Sequence, residues 1–159
     1  MDLILWRHAE AEDIATSDLA RRLTAKGERQ AQRMADWLGP QLGNPALRAT
    51  DWCVVASPAE RAQQTAAALN MPVKTIDSIA PDAPADAILR AAGWPNNKKH
   101  VIVVGHEPTL GMVAGALINS VEGYVPFKKG AIRWFRSPEK DFESRAILVT
   151  TATPETIAA

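Results

Sequence analysis

Four short apolar runs, Leu3–Trp6, Trp52–Ala56, Val73–Ile76 and Val101–Val104, constrain the fold of this chain more than any other feature. Each is rich in β-branched or bulky residues, and none alternates apolar with polar positions. Such runs suit strands of a mostly parallel sheet, buried on both faces by flanking helices. Helical patterns stand between them. Ala31, Met34, Ala35, Leu38 and Leu42 share one helical face and predict a helix from near Thr24 to near Gly39-Pro40. Ser57-Pro58-Ala59-Glu60 carries an N-cap serine, a proline at the first helical position and a glutamate three residues after the cap, predicting a helix to about Leu69. A third helix is expected over Ala85–Ala92, stopped by Gly93-Trp94-Pro95. A fourth starts near Pro108 and carries Leu110, Val113, Ala114 and Leu117.

After that helix the pattern changes. Ala131–Phe135 and Arg145–Thr150 read as two strands joined by the turn-rich Ser137–Glu143. The order β-α-β-α-β-α-β-α-β-β predicts the α/β class, a three-layer α/β/α sandwich with a mostly parallel central sheet and one antiparallel edge strand. With 159 residues, no internal repeat and no linker, 1–159 reads as a single domain, with the last nine residues expected to fray. The tryptophans Trp6, Trp37, Trp52, Trp94 and Trp134 are expected in the core or at an interface, Trp6 pointing away from Arg7 across the strand.

Charge and motif searches narrow the function. Eighteen Lys+Arg balance eighteen Asp+Glu, so no global field recruits nucleic acid or an acidic membrane. The single cysteine, Cys53, excludes a disulfide framework and a Cys-rich zinc site. Met1–Arg7 meets a charge too early for a signal peptide, and no run approaches the ~18 apolar residues of a membrane helix. A cytoplasmic, soluble chain is expected. His106-Glu107-Pro108-Thr109-Leu110 ends in Leu and fails as H-E-x-x-H. Cys53 lacks the arginine six positions on that cysteine phosphatases use, and there is no D-x-D pair, P-loop or G-x-G-x-x-G. No cofactor and no metal are expected.

What remains lies where strands end. In open parallel sheets ligands bind beyond the C-terminal strand ends. Leu3–Trp6 runs into Arg7-His8, Val101–Val104 into Gly105-His106, and Trp52–Ala56 into Ser57 and then Arg61. Arg61 falls in the first turn of a helix, where the dipole disfavours a cation, so an anion is expected beside it. Guanidinium groups match phosphate oxygens bidentately, and free N–H groups at the Ser57 helix start add donors. Neighbouring positive charge should lower the imidazole pKa values, and a neutral imidazole can act as a nucleophile. Phosphoryl transfer to a histidine, without metal, is the chemistry these residues fit.

Arg7-His8-Ala9-Glu10 resembles the Arg-His-Gly signature of the histidine phosphatase superfamily, the phosphoglycerate mutase-like family. Ser57–Ala66 resembles its S-P-x-x-R-A-x-x-T-A motif, Gly105-His106 its late G-H, and Arg22–Gly27 its R-x-L-T-x-x-G element. The resemblance implies that His8 is the nucleophile that becomes phosphohistidine. Arg7, Arg61 and His106 would hold the phosphoryl oxygens, with Ser57 beside them. Arg21, in the loop after the first strand, is either a further phosphate contact or a surface ion pair. For a general acid the resemblance offers Glu107, directly after the second histidine, or Asp82 and Asp86 in the segment after the second motif; capping of the following helix is the other reading of Glu107.

Only residues 70–99 separate the second helix from His100, leaving no room for a large lid, and the site should be open. The compact SixA-type phosphohistidine phosphatases are similar in this and in length. The expected substrate is therefore phosphohistidine in a signalling or phosphotransfer protein, with imidazole as a good leaving group that makes little demand on an acid. A small-molecule phosphomonoesterase, or a phosphate-binding module without turnover, are the alternatives.

Overall fold

A computed structural model describes residues 1–43, 51–138 and 145–157. Six strands form one sheet: β1 (Asp2–Arg7), β2 (Trp52–Ala56), β3 (Val73–Thr75), β4 (His100–Gly105), β5 (Ile132–Arg136) and β6 (Ile147–Ala152). Four α-helices accompany them: α1 (Ala25–Leu42), α2 (Glu60–Ala67), α3 (Ala85–Ala92) and α4 (Thr109–Leu117). The order of elements is the expected one, and the strand order across the sheet is β3-β2-β4-β1-β5-β6.

Alternating strand residues feed two cores. Ile4, Trp6, Val54, Ile102 and Val104 pack with Met34 and Leu38 of α1 and Ala62 of α2. Leu3, Leu5, Val55, Val101 and Val103 pack with Ile88 of α3 and Leu110 and Val113 of α4. The sheet is thus covered by α1 and α2 on one face and by α3 and α4 on the other. β1 and β4 are parallel neighbours, yet the chain leaves β1 for the first face and β4 for the second. A crevice must open where their C-terminal ends diverge.

Five local expectations need correction. β3 lies at the sheet edge and is not buried on both faces: Val73 is half-buried, and Lys74 and Thr75 are exposed. The strand that runs against the others is β5, inside the sheet: it is antiparallel to both β1 and β6, so β6 at the edge runs parallel to the rest. Helix α1 continues through Gly39-Pro40 to Leu42, because Leu38 and Leu42 are both buried and carry its apolar face onward. Helix α2 begins at Glu60, and Ala59, not Ser57, is its N-cap; the Glu60 N–H is satisfied from outside the helix by Leu19 O at 2.9 Å. The segment after β6 does not fray as far as Ile157. Thr153 and Thr156 bond one another, Ile157 is buried, and Arg33 donates to its carbonyl at 3.1 Å. Most of the Ser137–Glu143 turn lies outside the described residues.

Trp6, Trp52 and Trp134 are core residues as expected, with Trp6 Nε1 donating to Gly130 O at 3.1 Å and Trp52 meeting Trp134 edge-to-face at 5.5 Å. One glycine is dictated by close approach. A Cβ on Gly27 would fall 1.9 Å from Glu10 O, so only glycine lets the first turn of α1 lie on the backbone just after His8.

Candidate active site

Register builds the site before any side chain does. In the parallel β1–β4 ladder Arg7 faces Gly105, and the ladder runs on into the turns, with His8 N–H donating to Gly105 O at 3.1 Å and Ser57 N–H to Val104 O at 3.1 Å. His8 and His106 therefore emerge side by side, their ring centroids 5.1 Å apart. Together with Arg7, Arg21, Arg61, Glu107 and Asp82 they line a cleft of about 280 Å³ beyond the strand ends. The histidines are at its buried floor, 7% and 4% exposed, while Asp18 and Asp82 stand exposed at the rim.

Each ring has a definable proton. His8 Nδ1 lies 2.8 Å from Ala9 O, and a carbonyl can only accept, so Nδ1 carries the hydrogen and Nε2 keeps its lone pair. Ala9, in place of the glycine of the family signature, has no positive φ and causes no strain there. Thr65 holds its N–H at 3.1 Å and donates in turn to Arg61 O at 2.8 Å, tying the turn after His8 to α2. Thr65 sits within the second motif, yet nothing in the spacing of that motif announces this bond.

Ser57 does not face the cleft as a phosphate contact. It is fully buried; its Oγ accepts from Ala59 N–H at 3.1 Å and lies 2.7 Å from His106 Nε2. The His106 Nδ1 atom is buried and has no partner.

Both histidines are held neutral. Burial above all, then the neighbouring His106, Arg61 and Arg7, pushes His8 down to about 3. Burial again, then Arg61, Arg7 and Arg21, pushes His106 down to about 4. The direction is the one positive neighbours were expected to produce, but desolvation is the larger cause.

The arginines are anchored at one end and free at another. Arg7 donates to Phe127 O at 2.7 Å, and the nearly buried Arg61 donates to Asp18 O at 2.8 Å and Asp18 Oδ2 at 3.2 Å. Asp18 Oδ1 accepts from Arg21 at 3.0 Å, and Arg21 Nε donates to Glu12 O at 2.7 Å. Arg21 first, and Arg61 with it, hold the Asp18 carboxyl below the usual carboxylate range. Among the described residues five buried side-chain nitrogens lack a partner, and three of them are Arg7 Nε, Arg61 Nε and His106 Nδ1. Three guanidinium groups and two imidazoles lining one cleft suit a ligand rich in acceptor oxygens.

The three carboxylates considered for the acid separate clearly. Asp86 pairs with Arg90 on the exposed side of α3 and does not line the cleft. Glu107 lines it, but Oε1 accepts from Gly111 N–H at 2.7 Å, inside the first turn of α4, and Oε2 accepts from Tyr124 OH. Its helix-capping reading is what the geometry shows. Asp82 lines the cleft with left-handed backbone, φ 68°, and no bonded partner among the described residues. Asp18, Tyr124 and the cleft-lining Lys129 were not anticipated from sequence, because each arrives from a loop without periodic pattern.

Comparison with known proteins agrees with this geometry. The family model described as histidine phosphatase superfamily (branch 1) matches residues 3–80. A phosphohistidine phosphatase SixA homolog of Haemophilus influenzae is 30% identical over 127 residues, 74% of this chain and 77% of that protein. Among solved structures, a candidate phosphohistidine phosphatase SixA from Agrobacterium tumefaciens superposes with a TM-score of 0.76 at 23% identity, covering 96% of this chain and 97% of that one. A protein histidine phosphatase SixA complexed with tungstate gives a TM-score of 0.73 at 22% identity, covering 97% of both chains.

Proposed function

The chain belongs to the histidine phosphatase superfamily, and from that premise we propose that it removes phosphate from phosphohistidine in a signalling or phosphotransfer protein. His8 is the nucleophile, and the observation that carries the reading is its Nε2 lone pair, free because Nδ1–H is committed to Ala9 O. Nε2 attacks phosphorus as the substrate N–P bond breaks, and the electron pair leaves with the substrate imidazole. Arg7, Arg61 and His106, which line the cleft around it, stabilise the charge on the equatorial oxygens. Water then attacks the phosphorylated His8, and orthophosphate departs with Nε2 restored.

An imidazole has a pKa of about 6.5 and needs little help to leave. That fits a cleft in which Glu107 is already bonded through both oxygens and Asp82 is the one carboxylate without a bonded partner among the three weighed for the acid. The guanidinium groups supply positive charge that other phosphatases draw from metal ions, and the mechanism as we read it uses none. Residues 1–159 are read as one domain whose short 70–99 segment leaves the cleft accessible to a phosphohistidine on a protein surface. No helix among the described residues is long and apolar enough to cross a membrane; a cytoplasmic site of action suits the proposed partner.

The test is phosphate release, with chelator present, from a phosphohistidine-bearing phosphotransfer domain and a phosphoserine peptide side by side. Release from the first, with an acid-labile phosphoenzyme absent in His8→Ala, is the expected result. Preference for phosphoserine, or for small sugar phosphates, would overturn the substrate reading.

A further inference from the structure

A second hollow, of about 410 Å³, opens between the outer side of α1 and the chain after β6, lined by Lys26, Arg29, Gln30, Arg33, Pro154 and Glu155. It holds three cations against one carboxylate in a chain whose formal net charge is zero. The side chains of Lys26 and Arg29 have no ion pair or hydrogen bond among the described residues, and Arg33 spends one N–H on Ile157 O. Both Lys26 and Arg29 lie near the N-terminal end of α1, where the helix dipole disfavours positive charge. The dipole gives Lys26, in the first turn, no electrostatic reason to stand there, and an external anion does.

The hollow adjoins the catalytic cleft. Gln30, in its wall, accepts from Glu10 N–H at 3.0 Å, two residues beyond His8. A Cβ on Gly130 would fall 2.9 Å from Pro154 Cγ and 3.7 Å from Gln30 Cβ, so the turn that carries the cleft residue Lys129 also borders the hollow. Lys128 and Lys129 on that turn are exposed, and their ammonium groups are likewise without a bonded partner among the described residues.

We propose that this basic hollow docks a carboxylate-rich face of the protein that presents phosphohistidine to His8. The inference rests on the phosphohistidine reading above and adds the chemistry of the partner surface. Its physical basis is charge complementarity, which sets encounter rate and specificity at an exposed rim and weakens as salt shortens the Debye length.

The experiment is fluorescence anisotropy with two short, unphosphorylated histidine peptides, one flanked by glutamates and one by alanines. Wild-type protein should bind the glutamate peptide about tenfold more tightly at low salt, and Lys26→Glu/Arg29→Glu should lose that preference. Lys26→Gln/Arg29→Gln should fall between them, and free phosphohistidine should be hydrolysed at the wild-type rate by both variants. Equal binding of the two peptides by wild type, or a preference that survives charge reversal, would overturn the docking surface. The phosphorylated peptides test the reading beneath it. If neither releases phosphate while the glutamate peptide still binds in a Lys26- and Arg29-dependent way, the docking surface stands and the phosphohistidine substrate falls.

Discussion

Ser57 and His106 form a buried pair in which the serine Oγ stands 2.7 Å from the ring Nε2, while Nδ1 is buried without a partner. A serine from the turn after β2 thus orients the ring of a histidine after β4, and we expect its hydroxyl to hold that ring in one tautomer. The β2–β4 register makes this possible, since it sets Ala56 opposite Val104 and brings the two turns together.

Replacing Ser57 by Ala should release that choice. We expect kcat/KM to fall about tenfold, the worth of one lost buried hydrogen bond. Nitrogen chemical shifts of the His106 ring should move from a single tautomer to a mixture. An unchanged tautomer in Ser57→Ala would show that the hydroxyl does not set it.

His8→Ala should abolish phosphoenzyme formation and turnover while keeping affinity for inorganic phosphate, because Arg7, Arg61 and His106 do not depend on the His8 ring for their anchors. Isothermal titration with phosphate, alongside a single-turnover assay, separates the two effects.

Arg61→Lys should not rescue Arg61→Ala. The guanidinium holds Asp18 through two nitrogens in a fixed fork, whereas an ammonium is a single point charge. Both variants should lose about a hundredfold in kcat or more, with phosphate affinity reduced as well. Steady-state kinetics with phosphate inhibition checks this.

The pH dependence follows from His8 at about 3 and His106 at about 4, both below the ~6.5 of an unfolded imidazole. Each ring is neutral in the folded protein at pH 5, so the rate of His8 phosphorylation should show no histidine break near 6.5. For stability, the unfolded chain binds more protons than the folded one between ~6.5 and the depressed values. The contribution is therefore fully present above ~6.5, declines as pH falls through that window and is lost below about 3. Urea midpoints from pH 7 to pH 4 should fall more steeply for wild type than for His8→Ala.

Much of the fold was legible because burial on both faces leaves a continuous apolar run, and β1, β2 and β4 carry that mark within a residue at either end. His8, Arg7, Arg61 and His106 were legible because each follows directly from a strand end or a helix start. Thr65 and Ser57 were visible as motif letters, but the direction in which their hydroxyls point was not. Ser57 reads as a helix cap on local pattern, and tertiary contact claims it instead: Leu19 O satisfies the Glu60 N–H from outside the helix and His106 takes the serine hydroxyl.

By itself the amino-acid sequence determined the order of strands and helices, the apolar runs of β1, β2 and β4 that are buried on both faces, and which ionisable residues stand at strand ends. Periodicity and capping are local, and residues within one or two turns suffice to express them. Tertiary structure alone decided that β4 lies between β1 and β2, that β5 runs against its neighbours, that Asp18 and Lys129 reach the same cleft as His8, and that Tyr124 reaches Glu107. Those choices depend on how two cores close simultaneously on opposite faces of one sheet. They are set by the packing of the whole chain, because no single segment contains both partners of any contact that fixes them.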